Sequence, residues 1–245
     1  MTTHAPDGVP VAPLDFWRRD PGRPIVKVCG VRSPEVAVAV AEAGADLIGL
    51  NFAAASRRRT DPGTAATMAS AVRSGARGRA PIVVGIFVEQ GASEIAAIAR
   101  MVGLDAVQLS GECNPATCRD VHDACGLPVV AVARLADDGS SHARAHALAE
   151  VTGVAAVLVD APGTVGGAGH PWNYALARDL VDTLAKGGVR VLVAGGLSPD
   201  NVADALRTTG AWGADVATGV ETGGQTDPDR VRAFIEGARL AWRGP

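Results

Sequence analysis

The chain has 245 residues, 47% of them hydrophobic but only 4% aromatic, and it carries 30 glycines. That length fits one large domain, and so much aliphatic material excludes a chain disordered throughout. A formal net charge of -3, with 23 basic and 26 acidic residues scattered along the chain, leaves no basic stripe for nucleic acid, and no apolar run approaches the roughly 20 residues that span a bilayer.

Residues 1–24 mix charge and glycine with Pro6, Pro10, Pro13, Pro21 and Pro24. They read as an N-terminal arm, mobile or draped over the surface, whose only apolar cluster is Leu14, Phe16 and Trp17. No charged segment followed by an apolar one opens the chain, so a cytoplasmic protein is expected.

From residue 25 the texture changes to short apolar, β-branched runs. They lie at Ile25 to Cys29, Leu47 to Phe52, Ile82 to Val88, Ala106 to Leu109, Val129 to Ala133, Ala155 to Asp160, Val189 to Ala194 and Ala214 to Ala217. Alanine-rich stretches of helical period separate them, such as Pro34 to Ala43, Ala92 to Met101, Tyr174 to Ala185 and Asp200 to Leu206. Ser33-Pro34 and Ser198-Pro199 each place a capping residue before a proline suited to the first helical position. Continuous rather than alternating apolar strands belong to a parallel sheet buried on both faces. Eight strand-helix units over residues 25–245 therefore predict a single-domain (β/α)8 TIM barrel. An open doubly wound sheet is the competing architecture, but Cys29-Gly30-Val31-Arg32 stands where its Gly-x-Gly-x-x-Gly turn belongs.

In such a barrel the loops after the strands build the active site, so polar residues at strand C-terminal ends carry weight. Ala194-Gly195-Gly196-Leu197 and Ala217-Thr218-Gly219-Val220 end strands 7 and 8, where barrels commonly bind phosphate on backbone N–H groups. Paired at these two loops, the glycines point to a phosphorylated substrate rather than to turning alone. Cys29, at the end of strand 1, is either a small buried hydrophobe or, as a thiolate, a base or nucleophile. Asp160 ends strand 6 and either caps a loop or moves a proton. Arg57 to Arg59 form a solvated loop unless one of them turns inward, where its guanidinium fork suits a carboxylate or phosphate. The Gly163 to Gly169 stretch is a lid or a simple long connection.

The four cysteines, Cys29, Cys113, Cys118 and Cys125, contain no C-x2-C pair, so no metal site is expected and free thiols are. Lys27 and Lys186 are the only lysines, and neither lies in a Walker A loop. Lys27, two residues before Cys29, admits a Schiff-base aldolase as a rival chemistry.

Taken together these residues resemble the phosphoribosylanthranilate isomerase family. The likeness runs from residue 25 to about 240 through Lys27-Val28-Cys29-Gly30-Val31, Ser56 with Arg58, Val84-Gly85-Ile86-Phe87-Val88, Asp105-Ala106-Val107-Gln108-Leu109, Leu158-Val159-Asp160, Ala194-Gly195-Gly196-Leu197 and Gly219-Val220-Glu221. The resemblance implies an Amadori rearrangement of a phosphorylated anthranilate, with Cys29 as general base, Asp160 as general acid, and no cofactor or metal. Arg58 would hold the anthranilate carboxylate, while Gly195, Gly196, Thr218 and Gly219 would hold the phosphate. The chain departs from the family pattern at Ser110, where histidine is usual, at Ala168, and at Trp172-Asn173-Tyr174. A related sugar-phosphate isomerase acting on a modified substrate, and a non-catalytic phosphate-binding barrel, are the alternatives.

Overall fold

The computed structural model describes residues 15–18, 20–75, 80–111, 113–135, 140–161 and 171–241. A helical turn, α1 (Asp15–Arg18), leads into β1 (Ile25–Cys29), α2 (Pro34–Glu42), β2 (Leu47–Asn51), α3 (Pro62–Gly75), β3 (Ile82–Phe87), α4 (Ala92–Val102) and β4 (Ala106–Leu109). Then follow α5 (Pro115–Cys125), β5 (Val129–Arg134), α6 (Ser140–Ala149), β6 (Val154–Asp160), α7 (Arg178–Lys186), β7 (Arg190–Val193), α8 (Val202–Thr209), β8 (Gly213–Val216) and α9 (Pro228–Leu240). The strands close in sequence order, and β8 returns to β1 in parallel register, with Lys27 opposite Asp215. The single-domain (β/α)8 barrel expected from the sequence is the fold observed.

Each strand is buried on both faces, which explains its unbroken apolar character. Inside the ring, Ile25, Leu47, Ile82, Val84, Val130, Leu158 and Leu192 fill the lower barrel. On the outer face, Val26, Val28, Ile48 and Val83 pack against helix residues such as Val40, Met68 and Val72. Ser33 caps α2 as expected, its side chain accepting from the N–H of Val36 at 3.3 Å. The Ser198-Pro199 signature behaves differently: α8 begins at Val202, because Ser198 donates its N–H to Asn201 Oδ1 at 2.8 Å and a turn intervenes.

At the strand N-terminal end, acids brace the sheet. Asp46 accepts from Val26 N at 3.0 Å and from Arg23 at 2.9 and 2.6 Å. Asp105 accepts from Val83 N at 2.8 Å and pairs with Arg73 at 3.2 Å. These contacts lie on the face where barrels invest in stability.

The same face is closed by part of the N-terminal arm. Residues 1–14 lie outside the described residues; of the arm expected to be mobile or draped over the surface, Phe16 and Trp17 are packed in place, 8% and 3% exposed. They join the interior cluster. Phe16 packs edge-on against Trp17 at 5.2 Å and against Trp212 at 5.7 Å. Arg190 donates to the carbonyls of Trp17 at 3.1 Å and Arg18 at 2.8 Å, satisfying the end of the helical turn. The indole N–H groups of Trp17 and Trp212 have no acceptor among the described residues, so ring packing, not indole hydrogen bonding, holds this floor. Trp17→Ala should therefore cost about 3 kcal/mol or more of unfolding free energy in urea while leaving kcat/KM near the wild-type value. A loss below about 1 kcal/mol would show that the plug carries little of the barrel's stability.

Candidate active site

The charged centre of the barrel mouth is built by β1 and β8. Lys27 is completely buried, and its Nζ donates to Asp215 Oδ1 at 2.7 Å across the strand pair. Burial pulls the Lys27 ammonium down, but the charges of Asp215 and Cys29 outweigh it, so its pKa lies above the ordinary value. A lysine held in its protonated form is a poor carbonyl nucleophile, so the ion pair with Asp215 speaks against the aldolase chemistry considered above. Asp215 is pushed up by burial and held back by Lys27.

Cys29 ends β1 two residues beyond Lys27 and is partly exposed. Burial raises its thiol above the ordinary value; the Lys27 charge opposes this, Asp215 reinforces it and Arg58 opposes it again. Asp160 ends β6, and its Oδ1 accepts from the N–H of Ala161 at 2.8 Å. Burial again raises its carboxyl first; the Ala161 hydrogen bond lowers it, Asp215 raises it, and Arg134 and Lys27 lower it. Cys29 and Asp160 thus both feel the charges of the Lys27–Asp215 pair.

Of the three consecutive arginines, Arg58 alone is buried, at 8% exposure. Its Nε donates to Glu221 Oε1 at 2.6 Å and its Nη2 to Thr218 Oγ1 at 2.7 Å. Arg57 reaches the other carboxylate oxygen of Glu221 at 2.5 Å from the exposed side. Arg59 is exposed.

The loops after β7 and β8 meet directly. A β-carbon at Gly219 would fall 1.8 Å from the carbonyl oxygen of Leu197, so only glycine permits this approach. Gly195 and Gly196 have φ of 87° and 64°, conformations that glycine adopts without penalty. Among the described residues no protein acceptor takes the backbone N–H of Gly195, Gly196 or Gly219. Thr218, Gly219 and Val220 form a single 3-10 turn. Trp172 and Tyr174 fasten the loop from the β6 side, donating to the Gly195 carbonyl at 3.1 and 2.9 Å. Asn173 accepts from Ala175 N at 3.2 Å and so caps the turn that precedes α7.

Between β4 and β5, Gln108 donates to Ser110 Oγ at 2.9 Å and Arg134 to the Ser110 carbonyl at 3.3 Å. Gln108 Oε1 and Arg134 Nε are buried without a partner among the described residues. The Gly163 to Gly169 stretch, with Ala168, lies outside those residues.

Asp215, Glu221 and Arg134 are site residues that strand-end inspection does not single out. The signal for one of them was present: Asp215, like Lys27 and Gln108, interrupts an otherwise apolar or small-residue strand. An isolated polar side chain in such a strand either has a buried partner or faces the site.

A closed parallel barrel that gathers a thiol, a carboxyl and a buried cation at its C-terminal mouth, beside glycine loops after the last two strands, defines an enzyme of the barrel class. The chain matches the family described as N-(5'phosphoribosyl)anthranilate (PRA) isomerase over residues 26–237. It is 41% identical over 220 residues to the N-(5'-phosphoribosyl)anthranilate isomerase of Roseiflexus sp. (strain RS-1), covering 88% of this chain and 98% of that one. It is 43% identical over 220 residues to the enzyme of the same name from Myxococcus xanthus (strain DK1622), covering 87% and 95%. The crystal structure of phosphoribosyl anthranilate isomerase from Thermotoga maritima superposes with a TM-score of 0.76 at 28% identity, covering 88% of this chain and 98% of that one. A phosphoribosyl anthranilate isomerase in complex with reduced 1-(o-carboxyphenylamino)-1-deoxyribulose 5-phosphate superposes at 0.71 with 26% identity over the same shares of the two chains. The chain belongs to the PRA isomerase family and is an isomerase of tryptophan biosynthesis. Among the described residues, no helix is long and apolar enough to cross a membrane.

The buried ion pair yields a stability prediction. Lys27→Met should cost about 3 to 5 kcal/mol, because it strands the Asp215 carboxylate, whereas Lys27→Met with Asp215→Leu should recover most of that loss. A urea-unfolding double-mutant cycle measures both, and additive losses would show that the two groups do not act as a pair.

Proposed function

We propose that this barrel converts N-(5-phosphoribosyl)anthranilate into 1-(2-carboxyphenylamino)-1-deoxyribulose 5-phosphate, with Asp160 as general acid and Cys29 as general base. The observation that carries the assignment is the placing of an acid raised by burial and a thiol at the ends of β6 and β1, both within the field of Lys27 and Asp215. Asp160 gives its proton to the furanose ring oxygen, the bond from that oxygen to C1′ breaks, and a protonated Schiff base remains. The Cys29 thiolate then removes the proton at C2′, whose electrons flow toward the iminium nitrogen. The resulting enolamine tautomerises to the ketone. Electrons are redistributed within one molecule, so the step needs no redox cofactor.

Arg58 meets the anthranilate carboxylate in this scheme. The phosphate lies on the loops of Gly195, Gly196, Thr218 and Gly219, supported by the three glycine N–H groups that have no acceptor among the described residues. The site is built for a small phosphorylated molecule, without nucleic acid or membrane. We place the enzyme in the cytoplasm, where its four free cysteines fit a reducing environment.

The electrostatics set the pH dependence. Both groups are raised, but an ordinary thiol lies about 4 units above an ordinary carboxyl, so the productive state, protonated Asp160 with ionised Cys29, is the minority one. Between the two pKa values the loss of Asp160 protons and the gain of thiolate cancel, and kcat/KM is flat. It falls below the Asp160 pKa as thiolate disappears and above the Cys29 pKa as carboxyl disappears. Asp160→Asn should lower kcat by about 100-fold or more, and its residual kcat/KM should climb through neutral pH instead of holding a plateau. A variant that keeps more than about a tenth of the rate with an unaltered profile would make Asp160 a loop cap.

Cys29→Ser should also lose nearly all turnover while retaining product-analogue affinity, because a hydroxyl does not supply an alkoxide near neutral pH. The reaction itself is tested by complementation of an auxotroph lacking the isomerase step. Growth with the wild-type chain and none with Cys29→Ala is expected; failure of the wild-type chain, expressed and folded, would reject the assigned reaction.

A further inference from the structure

The contacts of Arg58 also specify how it is aimed. Its stem lies over Gly30: a β-carbon there would fall 2.2 Å from Arg58 Cδ and 3.1 Å from Cβ and Cγ. At the far end, a guanidinium offers two edges that match a carboxylate, one made by Nε with one terminal nitrogen, the other by the two terminal nitrogens. The first edge is spent within the protein, Nε on Glu221 Oε1 at 2.6 Å and Nη2 on Thr218 Oγ1 at 2.7 Å. The second edge, Nη1 with the remaining N–H of Nη2, has no partner among the described residues and faces a ligand.

Glu221 is itself fixed from both sides. Its second oxygen is held by Arg57 at 2.5 Å, and its side chain is 6% exposed against 51% for Arg57. Burial pushes its carboxyl up, but the two guanidinium groups hold it below its ordinary range, so it stays ionised at neutral pH. Two guanidinium charges and one carboxylate leave a single net positive charge, which matches one incoming carboxylate.

We propose that Glu221 is a positioning residue for carboxylate recognition: by clamping the Nε edge of Arg58, it presents the opposite edge, already oriented, to the ring carboxylate of the substrate. This role rests on Arg58 meeting that carboxylate. Preorganisation of this kind raises affinity because the long arginine side chain is ordered before the ligand arrives.

The test uses two probes, reduced 1-(o-carboxyphenylamino)-1-deoxyribulose 5-phosphate and its phenylamino counterpart without the ring carboxylate, titrated calorimetrically into the full chain. Glu221→Ala should weaken the carboxylated probe by about 10-fold or more and the other by no more than about 2-fold. Glu221→Gln, which keeps an oxygen acceptor for Nε, should recover most of the loss. In turnover, Glu221→Ala should raise KM while kcat falls by no more than a few-fold. Glu221→Asp, which withdraws the carboxylate by one methylene, should show the same selectivity and serves as the test should the alanine variant not fold. Arg58→Ala, measured in parallel, separates the two levels of the claim. If Arg58→Ala discriminates between the probes and the Glu221 variants do not, the positioning role is overturned and the carboxylate contact stands. If Arg58→Ala does not discriminate either, the contact fails and the positioning role with it.

Discussion

A lysine ammonium buried inside a barrel must be paired, and the pairing of Lys27 with Asp215 organises the site. Leaving either charge alone in so dry a place would cost several kcal/mol. The pair forms only because β8 closes on β1 in a register that sets the two residues side by side. Closure of the barrel and assembly of the charge cluster are thus one event. Cys29, two residues along the same strand, inherits the field of that pair, and so does Asp160 at the end of β6. Burial raises both the Asp160 carboxyl and the Cys29 thiol, and the charge of Lys27 opposes the shift in each.

The two ends of the barrel divide the work. Asp46 and Asp105 at the N-terminal end are fully engaged by arginines and strand N–H groups, and the aromatic cluster of Phe16, Trp17 and Trp212 seals the interior below them. At the C-terminal end, polar groups stand without partners among the described residues: Gln108 Oε1, Arg134 Nε and three glycine N–H groups. Unsatisfied polar atoms are costly in a stable core and are the expected mark of a surface shaped for a ligand. The braced lower end gives the exposed upper groups a rigid base.

Much of this was legible in the amino-acid order because the relevant signals were local. Strands buried on both faces are continuous apolar runs, and β1 and β4 occupy the residue ranges their composition predicts, Ile25–Cys29 and Ala106–Leu109. Cys29 and Asp160 stood out because they follow such runs directly. What escaped was set by distant partners. Asp215 meets Lys27 across 188 residues and Glu221 meets Arg58 across 163, separations that no local pattern encodes. The α1 turn is too short to be stable alone and depends on Arg190 and Trp212. Ser198-Pro199 carries a helix-start signature, yet Asn201 captures the Ser198 N–H and postpones the helix.

The central claim is that Cys29 is a thiol raised by burial and working through a minority thiolate. Its ionisation can be followed directly as the difference in ultraviolet thiolate absorbance between the wild type and Cys29→Ser across pH. A half-point above the ordinary thiol value of about 8.5 is predicted. A half-point well below it would mean that Cys29 is ionised at neutral pH, and the account of the site's electrostatics would be wrong.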